Sequence, residues 1–392
     1  MEGVVMLVNE FPPLPVGGAE RQAERLSAHL AKSGWPVWVL TSRAHGLPAS
    51  ESRLGFQIVR PPALGPGKMQ TVSFVFGALV ELWRLRKDYS ILHAHLAFGP
   101  AFAAVLAARF LGKRVVVKMG NSGEFGDIRI SQKTWRGRLR LAVFRRWADV
   151  VIVLDEAMQA EALSAGFNPQ RVRRMNNGID ARAFPLANRQ AAQLALGLNG
   201  KIVVLSMGRL ATQKSLPVLL QAFANALPNC PDLHLLILGD GPGRAALESL
   251  VQSLKISEQV TFAGNQADVR PYLNAAHLFV LPSSSEGISN ALLEAMSAGL
   301  ACLATPVGGN IEVLDQGRCG LLLPVGDVHA WSEAIIELVH SAQQRERLGK
   351  AAQERIRSEY DFDIVGARYE SLYADLLGNK QTAVKALVDV KR

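Results

Sequence analysis

The sequence predicts an α/β protein with two largely parallel sheets. Short apolar segments bounded by glycine, proline or serine alternate with segments of helical periodicity, first over residues 4–175 and again over residues 201–324. This alternation is typical of βαβ units, in which each helix crosses back between two parallel strands. A chain of 392 residues is also long enough for two or three domains that each bury a core.

Each predicted element follows from local periodicity. In the first half, apolar runs that end at polar or glycine-containing loops indicate strands at residues 4–8, 37–41, 56–59, 91–93, 115–118, 149–154 and 172–175. Helical spacing indicates a helix from Gly18 and further helices near 72–87 and 99–111. In the second half, the same criteria give strands at 201–207, 233–238, 260–263, 278–281, 300–304 and 320–324, and helices over 290–298 and near 362–377. The tail after Gly378 shows no pattern and is expected to be mobile.

The composition argues against a disordered or a fibrous protein. A hydrophobic content of 49% and a charged content of 20% are typical of a globular chain. The three cysteines lack metal-ligand spacing, and Cys302 lies in an apolar run, so we expect no oxidising compartment. The N-terminus runs directly into a strand without a basic leader, and no apolar run is long enough to span a bilayer. We therefore expect a cytoplasmic protein with at most a peripheral membrane contact.

The formal net charge of +9 requires an explanation. The basic residues do not alternate with exposed aromatics on a recognisable nucleic-acid module, so nucleic acid is not predicted as a partner. An anionic membrane surface or an anionic substrate fits better. The alternative is a solvated basic surface that serves solubility.

Residues 278–299 carry the strongest functional pattern. A buried strand leads into the polar loop 282–289, and the helix 290–298 ends at Gly299. In an open α/β sheet, ligands bind where strands end and helices begin, and the first amides of a helix favour an anion.

Two carboxylates, Glu286 and Glu294, frame this turn. The amides of Gly287, Ile288 and Ser289 could cradle a phosphate, while Glu294, more than a turn into the helix, could accept hydrogen bonds from a diol. The alternative is one acid placed for the helix macrodipole and one solvated glutamate.

The sequence Glu286-Gly-Ile-Ser-Asn-Ala-Leu-Leu-Glu294 resembles the Glu-x7-Glu signature of the family 4 retaining glycosyltransferases. The resemblance implies the GT-B architecture, with two Rossmann-like domains facing a cleft and a C-terminal helix that crosses back to the first domain. It places the acceptor-binding domain at residues 1–180 plus about 360–392, and the nucleotide-sugar donor domain at 181–359. It also implies that Glu286 contacts the donor sugar hydroxyls and that Glu294 holds the nucleotide ribose.

Two cations lie on the loop that follows the strand at 201–207. Gly208 and Arg209 begin this loop and Lys214 ends it. Arginine offers a planar fork and lysine a point charge, so the pair suits a diphosphate leaving group. In the resembled family these positions neutralise the donor phosphates, and Ser215, which stands where a glycine is usual, could also act as a helix N-cap.

Two other loops contain glycines in patterns found at phosphate sites. Gly17 and Gly18 lie between the first strand and its helix, and by resemblance they form the loop that closes over the donor diphosphate. The segment 239–243 has three glycines, but Pro242 and the missing ribose acid argue against NAD binding. We expect no cofactor besides the donor substrate, a UDP- or GDP-sugar.

The loop 118–127 departs from the resembled family because it lacks the usual histidine near the donor sugar. Lys118, Asn121, Glu124 and Asp127 are the residues that could replace it, and the sequence does not choose among them. His95, two residues after His93 at the end of a strand, is a candidate for the acceptor side.

The alternatives for the two histidines are a metal pair or polar residues at a strand end. No nearby ligand completes a metal set, and the chain has no Asp-x-Asp cluster in a suitable loop, so no metal is predicted.

Residues 133–147 carry six basic side chains among aromatic and apolar ones. This pattern suits an anionic bilayer surface or a lipid-linked acceptor; the alternative is a helix whose aromatic face packs on the sheet. Together, these observations predict a retaining glycosyltransferase that acts on a sugar or lipid-linked acceptor in polysaccharide, lipopolysaccharide or lipid-linked glycan biosynthesis. The alternative is a non-catalytic regulatory or scaffold subunit that binds a nucleotide sugar.

Overall fold

The computed structural model describes residues 3–14, 17–63, 65, 68–185 and 188–378. The chain forms two compact units, one up to Gly178 together with the residues from Phe362 onward, and one from Ile179 to Asp361. The tail after Gly378, which was expected to be mobile, lies outside the described residues.

The first unit contains an eight-stranded sheet in the order β3-β4-β2-β1-β5-β6-β7-β8. All neighbouring strands are parallel except β3 and β4, which form an antiparallel pair at one edge. Strand β3 was not predicted because its sequence, Ser-Glu-Ser-Arg, is polar and half exposed. The strands are β1 (Gly3–Leu7), β2 (Val37–Leu40), β3 (Ser50–Arg53), β4 (Phe56–Val59), β5 (Tyr89–His95), β6 (Arg114–Lys118), β7 (Val150–Val153) and β8 (Val172–Arg174).

Helices cover both faces of this sheet. The helices are α1 (Gly18–Lys32), α2 (Lys68–Arg84), α3 (Gly99–Leu111), α4 (Asp127–Gln132), α5 (Trp135–Trp147) and α6 (Glu156–Ser164). Right-handed crossovers that run from β4 towards β7 place α2, α3 and α5 on one face, where α3 contacts both of the others. The crossover from β1 to β2 runs the other way, so α1 lies on the opposite face.

The second unit contains a six-stranded sheet, parallel throughout, in the order β11-β10-β9-β12-β13-β14. Its core consists of aliphatic residues from both sheet and helices, such as Leu235, Val280 and Leu220. The strands are β9 (Ile202–Met207), β10 (Leu233–Leu238), β11 (Val260–Gly264), β12 (Leu278–Leu281), β13 (Ala301–Ala304) and β14 (Leu321–Leu322). The helices are α7 (Arg189–Ala195), α8 (Leu216–Ala226), α9 (Arg244–Ser253), α10 (Arg270–Ala275), α11 (Asn290–Ser297), α12 (Asn310–Val313), α13 (Val328–His340) and α14 (Ala342–Arg355).

The C-terminal helix α15 (Phe362–Leu376) belongs to the first unit. It packs against α1, and its buried residues Val365, Tyr369 and Tyr373 join the core that contains Val4 of β1. The prediction that the last helix returns to the first domain is confirmed.

Candidate active site

The strand order of the second unit creates a crevice at the carboxyl edge of its sheet. The strand that follows β9 in sequence, β10, lies on one side of it, whereas β12 lies on the other side. The chain therefore leaves β9 and β12 towards opposite faces, and ligands bind at such a switch point. The loops that leave these strands are 208–215 and 282–289, which hold the predicted site residues of the second half.

Gly208 follows β9 in a backbone conformation that requires glycine. Its φ is 148°, and a Cβ atom there would lie 3.3 Å from Cε of Lys214. Gly239, which follows β10, has a φ of 118°, and its Cβ would lie 2.0 Å from the carbonyl oxygen of Gly208. The two glycines let the β9 and β10 loops touch, and Gly208 leaves room for the lysine.

The two predicted cations lie on this loop in different settings. Arg209 is exposed, and within the described residues its guanidinium makes no hydrogen bond. Lys214 ends a 3₁₀ turn and is partly buried. Both line a small cavity, to which Leu281 and Pro282 at the end of β12 also contribute.

Lys214 contacts Glu286 directly. Its Nζ donates to Oε1 of Glu286 at 2.5 Å, and Oγ of Ser283 donates to the same oxygen at 2.7 Å. Ser283 is completely buried and Glu286 is 8% exposed. Charge-assisted hydrogen bonds of this kind are short and strong, and together they fix the orientation of the carboxylate.

Backbone contacts hold the Glu286 loop in place. The amide of Ser284 donates to the carbonyl of Gln213 at 2.8 Å, which joins the β12 loop to the 3₁₀ turn of Lys214. The amide of Gly309 donates to the carbonyl of Gly287 at 2.8 Å. A Cβ at Gly308 would lie 2.1 Å from the carbonyl oxygen of Glu286, so the loop after β13 can lie this close only with glycine there.

Helix α11 begins immediately after this loop. Ser289 is its N-cap, and its Oγ accepts from the amide of Leu292. Gly287, Ile288 and Ser289 are buried at the helix start, where the macrodipole is positive. Glu294 lies in the second turn and is partly exposed. The predicted positions on a loop and a helix are confirmed; the roles of these residues remain predictions.

Ser215 illustrates a local difference from the prediction. It precedes α8, as expected of an N-cap, but its side chain makes no capping hydrogen bond. Its φ of 48° places it in the left-handed region, where glycine carries no steric penalty. The usual glycine of the resembled family at this position thus has a physical reason, which Ser215 satisfies at some cost.

In the first unit, Gly17 and Gly18 lie where the sequence predicted, at the N-terminus of α1. Gly17 is the N-cap and both glycines are exposed. A Cβ at Gly17 would lie 3.1 Å from the carboxylate of Glu20. Burial raises the pKa of this Glu20 carboxyl.

Lys118 does not reach a surface. It is 6% exposed, and its Nζ donates to Oδ1 of Asn177 and to the hydroxyl of Tyr369, both at 2.9 Å. Burial lowers the pKa of Lys118 to about 7. The ammonium is therefore held within the core of the first unit, and the assignment of Lys118 to the acceptor or sugar side stays a prediction.

His95 is also buried, and its place on the acceptor side stays a prediction. Strand β5 continues through His95, whose ring is 2% exposed and stacks on His93 with 4.4 Å between ring centroids. His93 shares a 2.6 Å hydrogen bond with Tyr373, whereas neither ring nitrogen of His95 has a partner in the described part of the chain. Burial holds the pKa of both histidines well below the usual value.

Among the residues after Lys118, Asp127 has a structural role. It is buried, and Oδ2 of its carboxylate accepts from the amides of Ala97 and Gly120 at 2.9 and 3.1 Å. Burial raises the pKa of Asp127 despite these hydrogen bonds. Asn121 is partly exposed and Glu124 is exposed, so both remain candidates for the role that the histidine has in the resembled family.

Residues 135–147 form the continuous helix α5, and Gly137 does not interrupt it. A Cβ at Gly137 would lie 2.0 Å from the carbonyl oxygen of Ser131, so glycine allows α5 to pack on α4. Phe144 is buried, whereas Trp135 and Leu139 are more than half exposed. Part of the apolar surface of this segment therefore packs inward and part faces solvent.

The described residues hold neither a candidate membrane span nor a candidate metal cluster. Among the described residues, no helix is both long and apolar enough to cross a membrane. In the same residues, no three His, Cys, Asp or Glu side chains are grouped so that they could hold a metal ion.

Sequence reasoning missed Ser283, Asn177 and Tyr369, which position Glu286 and Lys118. Ser283 lies three residues before Glu286, so its place in the same loop was a usable signal. Asn177 and Tyr369 lie 59 and 251 residues from Lys118, and no local pattern joins them to it.

Two family models match adjacent parts of the chain. Residues 16–183 match the model described as Glycosyltransferase Family 4, and residues 189–355 match the model described as Glycosyl transferases group 1. The two matches correspond closely to the two structural units.

Named relatives show the same similarity. The chain is 27% identical over 367 residues to N-acetyl-alpha-D-glucosaminyl L-malate synthase of Bacillus anthracis, which covers 92% of this chain and 95% of that protein. It is 33% identical over 172 residues to the lipopolysaccharide core biosynthesis glycosyltransferase LpsE of Rhizobium meliloti, which covers 44% of this chain and 49% of that protein.

Solved structures show the fold. Sucrose-phosphate synthase from Thermosynechococcus elongatus superposes with a TM-score of 0.80 at 23% identity, covering 96% of this chain and 100% of that chain. Anabaena HepE in complex with UDP-glucose superposes with a TM-score of 0.79 at 18% identity, again over 96% and 100%. The GT-B fold predicted from the sequence is confirmed.

Proposed function

This chain is a glycosyltransferase of family 4, and from that premise we propose that it transfers a sugar from a UDP- or GDP-sugar to an acceptor with retention of configuration. The acceptor is a growing polysaccharide, a lipopolysaccharide or a lipid-linked glycan. The proposal rests on one observation above all: Lys214, Glu286 and the start of α11 converge at the carboxyl edge of the second sheet.

The donor diphosphate is assigned to the cationic side of this crevice. Arg209 is exposed and can present a bidentate fork, while Lys214 supplies a second charge at the end of the same loop. As the glycosidic bond breaks, negative charge develops on the departing phosphate, and fixed cations stabilise it. Because two side chains supply this charge, the reaction is proposed to need no metal ion or other cofactor.

The sugar is assigned to Glu286 and the ribose to Glu294. The Glu286 carboxylate is oriented by Ser283 and Lys214, so it can accept hydrogen bonds from sugar hydroxyls in a fixed geometry. The partly exposed Glu294, in the second turn of α11, is suited to a diol, while Gly287, Ile288 and Ser289 lie at the positive end of the helix. The departing phosphate is proposed to take the proton from the acceptor hydroxyl.

The acceptor is assigned to the first unit, where Asn121 is the most exposed of the sequence-predicted contacts Lys118, Asn121 and His95. The name of the relative LpsE, which refers to lipopolysaccharide core biosynthesis, supports an acceptor of this class. The basic helix α5 supports a peripheral position at an anionic membrane surface, where a lipid-linked acceptor would be found.

Donor hydrolysis in the absence of an acceptor tests the proposal. We expect slow release of sugar from one UDP- or GDP-sugar, with the anomeric configuration retained by NMR and with no loss of rate in EDTA. Replacement Arg209→Ala should lower the rate about a hundredfold, because a charge aimed at the leaving group is lost. The exposed Arg318→Ala is the matched control. The proposal would be contradicted by inversion of the anomeric configuration or by a rate that depends on a metal ion. It would also be contradicted by donor binding with neither hydrolysis nor transfer of the sugar to any acceptor.

A further inference from the structure

The first unit exposes large apolar side chains on one face. Thirteen large hydrophobic residues are exposed among the described residues, and seven of them lie on α2, α3 and α5. These three helices form a single layer over the sheet, with α3 in contact with both neighbours. The outer surface of this layer is called the α2-α3-α5 face below. Isolated exposed apolar residues are ordinary, but a concentration on one face marks an interaction site.

Helix α2 contributes a regular stripe to this face. Met69, Val72, Phe76 and Trp83 are 66%, 69%, 70% and 56% exposed. Their spacing of three, four and seven residues places them on one side of the helix. The opposite side of α2 packs inward through Phe74, Ala78 and Leu82.

Helices α3 and α5 also carry exposed apolar side chains. Phe110 at the end of α3 is 77% exposed, and Trp135 and Leu139 of α5 are 65% and 56% exposed. Two aromatic rings are covered by cations: the Arg86 guanidinium lies 4.1 Å from the Trp83 ring centroid, and the Arg136 guanidinium 5.2 Å from that of Trp135. Aromatic rings combined with Arg side chains are typical of protein surfaces at a lipid headgroup layer.

The charge of the three helices selects the partner. They contain seven arginines and one carboxylate, Glu81, which is paired with Arg84 at 2.6 Å. A second copy of the chain would bring the same arginines against this face, and like charges across an interface repel. An anionic bilayer complements both the positive charge and the apolar side chains.

We propose that the α2-α3-α5 face inserts its apolar side chains into an anionic lipid surface, with Phe76, Trp83 and Phe110 as anchors. The inference rests on the proposed function in one respect, since a lipid-linked acceptor gives the contact its purpose. It extends the prediction for residues 133–147, because α2 carries more exposed apolar side chains than α5 and was not part of that prediction.

Vesicle co-sedimentation without nucleotide tests the face directly. We expect the protein to bind vesicles of phosphatidylcholine with phosphatidylglycerol and not vesicles of phosphatidylcholine alone. The double variant Phe76→Ser/Phe110→Ser should weaken binding at least about tenfold, and Arg138→Gln about fivefold. The matched control is Leu194→Ser, which removes a side chain that is 69% exposed in the second unit.

Three results would overturn this inference. They are equal binding to both kinds of vesicle or to neither, unchanged binding by the double variant, and a wild-type dimer in light scattering that the double variant converts to a monomer. Nucleotide binding by the same variants is measured separately and should equal that of the wild type. If the protein binds nucleotide but not vesicles, the lipid contact alone is refuted. If it binds vesicles but no nucleotide, the proposed function is refuted.

Discussion

The Nζ atom of Lys214 lies 2.5 Å from Oε1 of Glu286, although the two residues are 72 positions apart in the chain. The side chains are 18% and 10% exposed, so both charges are largely withdrawn from water. Removing one member of such a pair leaves the other without compensation. The contact joins the loop that follows β9 to the loop that follows β12. It places Lys214, which is proposed to bind the donor phosphate, next to Glu286, which is proposed to bind the sugar.

The variant Lys214→Met should lower kcat/KM for sugar transfer by about a hundredfold or more, since it removes a cation from the leaving-group side and frees Glu286 to turn. Steady-state kinetics with saturating acceptor measure the effect. The double variant Lys214→Met/Glu286→Gln should lose less than the two single effects combined, because the residues act as a unit. Strictly additive losses would contradict a functional coupling between them.

Ser283→Ala tests whether orientation of Glu286 matters. The serine donates one hydrogen bond to the carboxylate, and a hydrogen bond to a charged group contributes about 1.5–3 kcal/mol. We expect kcat to fall about ten- to a hundredfold with little change in KM for the donor, because the carboxylate remains but is less well placed. A change confined to thermal stability, with kcat unaltered, would leave Ser283 a purely structural residue.

Gly208→Ala should disturb the position of Lys214. The added Cβ would lie 3.3 Å from Cε of the lysine, and the backbone has a positive φ that disfavours alanine. Gly200→Ala is the matched control, since Gly200 also has a positive φ but no heavy atom within 4 Å of its Cβ position. We expect both variants to lose stability and only Gly208→Ala to lose nucleotide affinity. Equal nucleotide affinity in the two variants would show that space beside Lys214 is unimportant.

His95→Leu should change how stability depends on pH. The folded-state pKa of His95 lies well below the usual 6.5, so between the two values the unfolded chain binds a proton that the native chain does not. In the wild type, His95 therefore lowers the free energy of unfolding as the pH falls below about 6.5, by up to about 1.4 kcal/mol per pH unit. Leucine cannot bind a proton, so this contribution is absent from the variant. The partnerless ring nitrogens mean that leucine breaks no hydrogen bond in the described structure.

Chemical denaturation of the wild type and of His95→Leu at pH 8, 6.5 and 5.5 measures this difference. Relative to pH 8, the difference between the two free energies of unfolding should shift in favour of the variant by about 0.4 kcal/mol at pH 6.5 and by up to about 1.4 kcal/mol at pH 5.5. Parallel curves down to pH 5.5 would mean that His95 gains a proton in the native protein.

The positions of Glu286 and Glu294 in the second unit could be predicted from the sequence because they lie in one continuous segment of the chain. The strand 278–281, the loop that carries Glu286 and the helix that carries Glu294 are consecutive, so their relative positions follow from one strand–loop–helix pattern. The contact with Lys214 depends on the switch in strand order between β9 and β12, which the sequence did not predict.

The burial of Lys118 and His95 in the first unit was not foreseen from the sequence, for one physical reason. Lys118 and His95 stand at the ends of strands, where side chains usually reach the loop surface. Tyr369 of helix α15 contacts Lys118, and Tyr369 and Tyr373 contact His93, on which the ring of His95 stacks. These tyrosines lie more than 250 residues after Lys118 and His93, so no local signal predicts the contacts. The α2 stripe was missed for the opposite reason, since helical spacing cannot tell an apolar side that faces solvent from one that faces the core.

Calorimetric titration with UDP, GDP and ADP, without metal, on the wild type and on Glu294→Ala is the decisive test of the donor site. One nucleotide should bind the wild type, and the variant should bind it about ten- to a hundredfold more weakly, because charged hydrogen bonds to a ribose diol are lost. Binding that is indifferent to Glu294, or no binding of any nucleotide, would contradict the assignment of this crevice as the donor site.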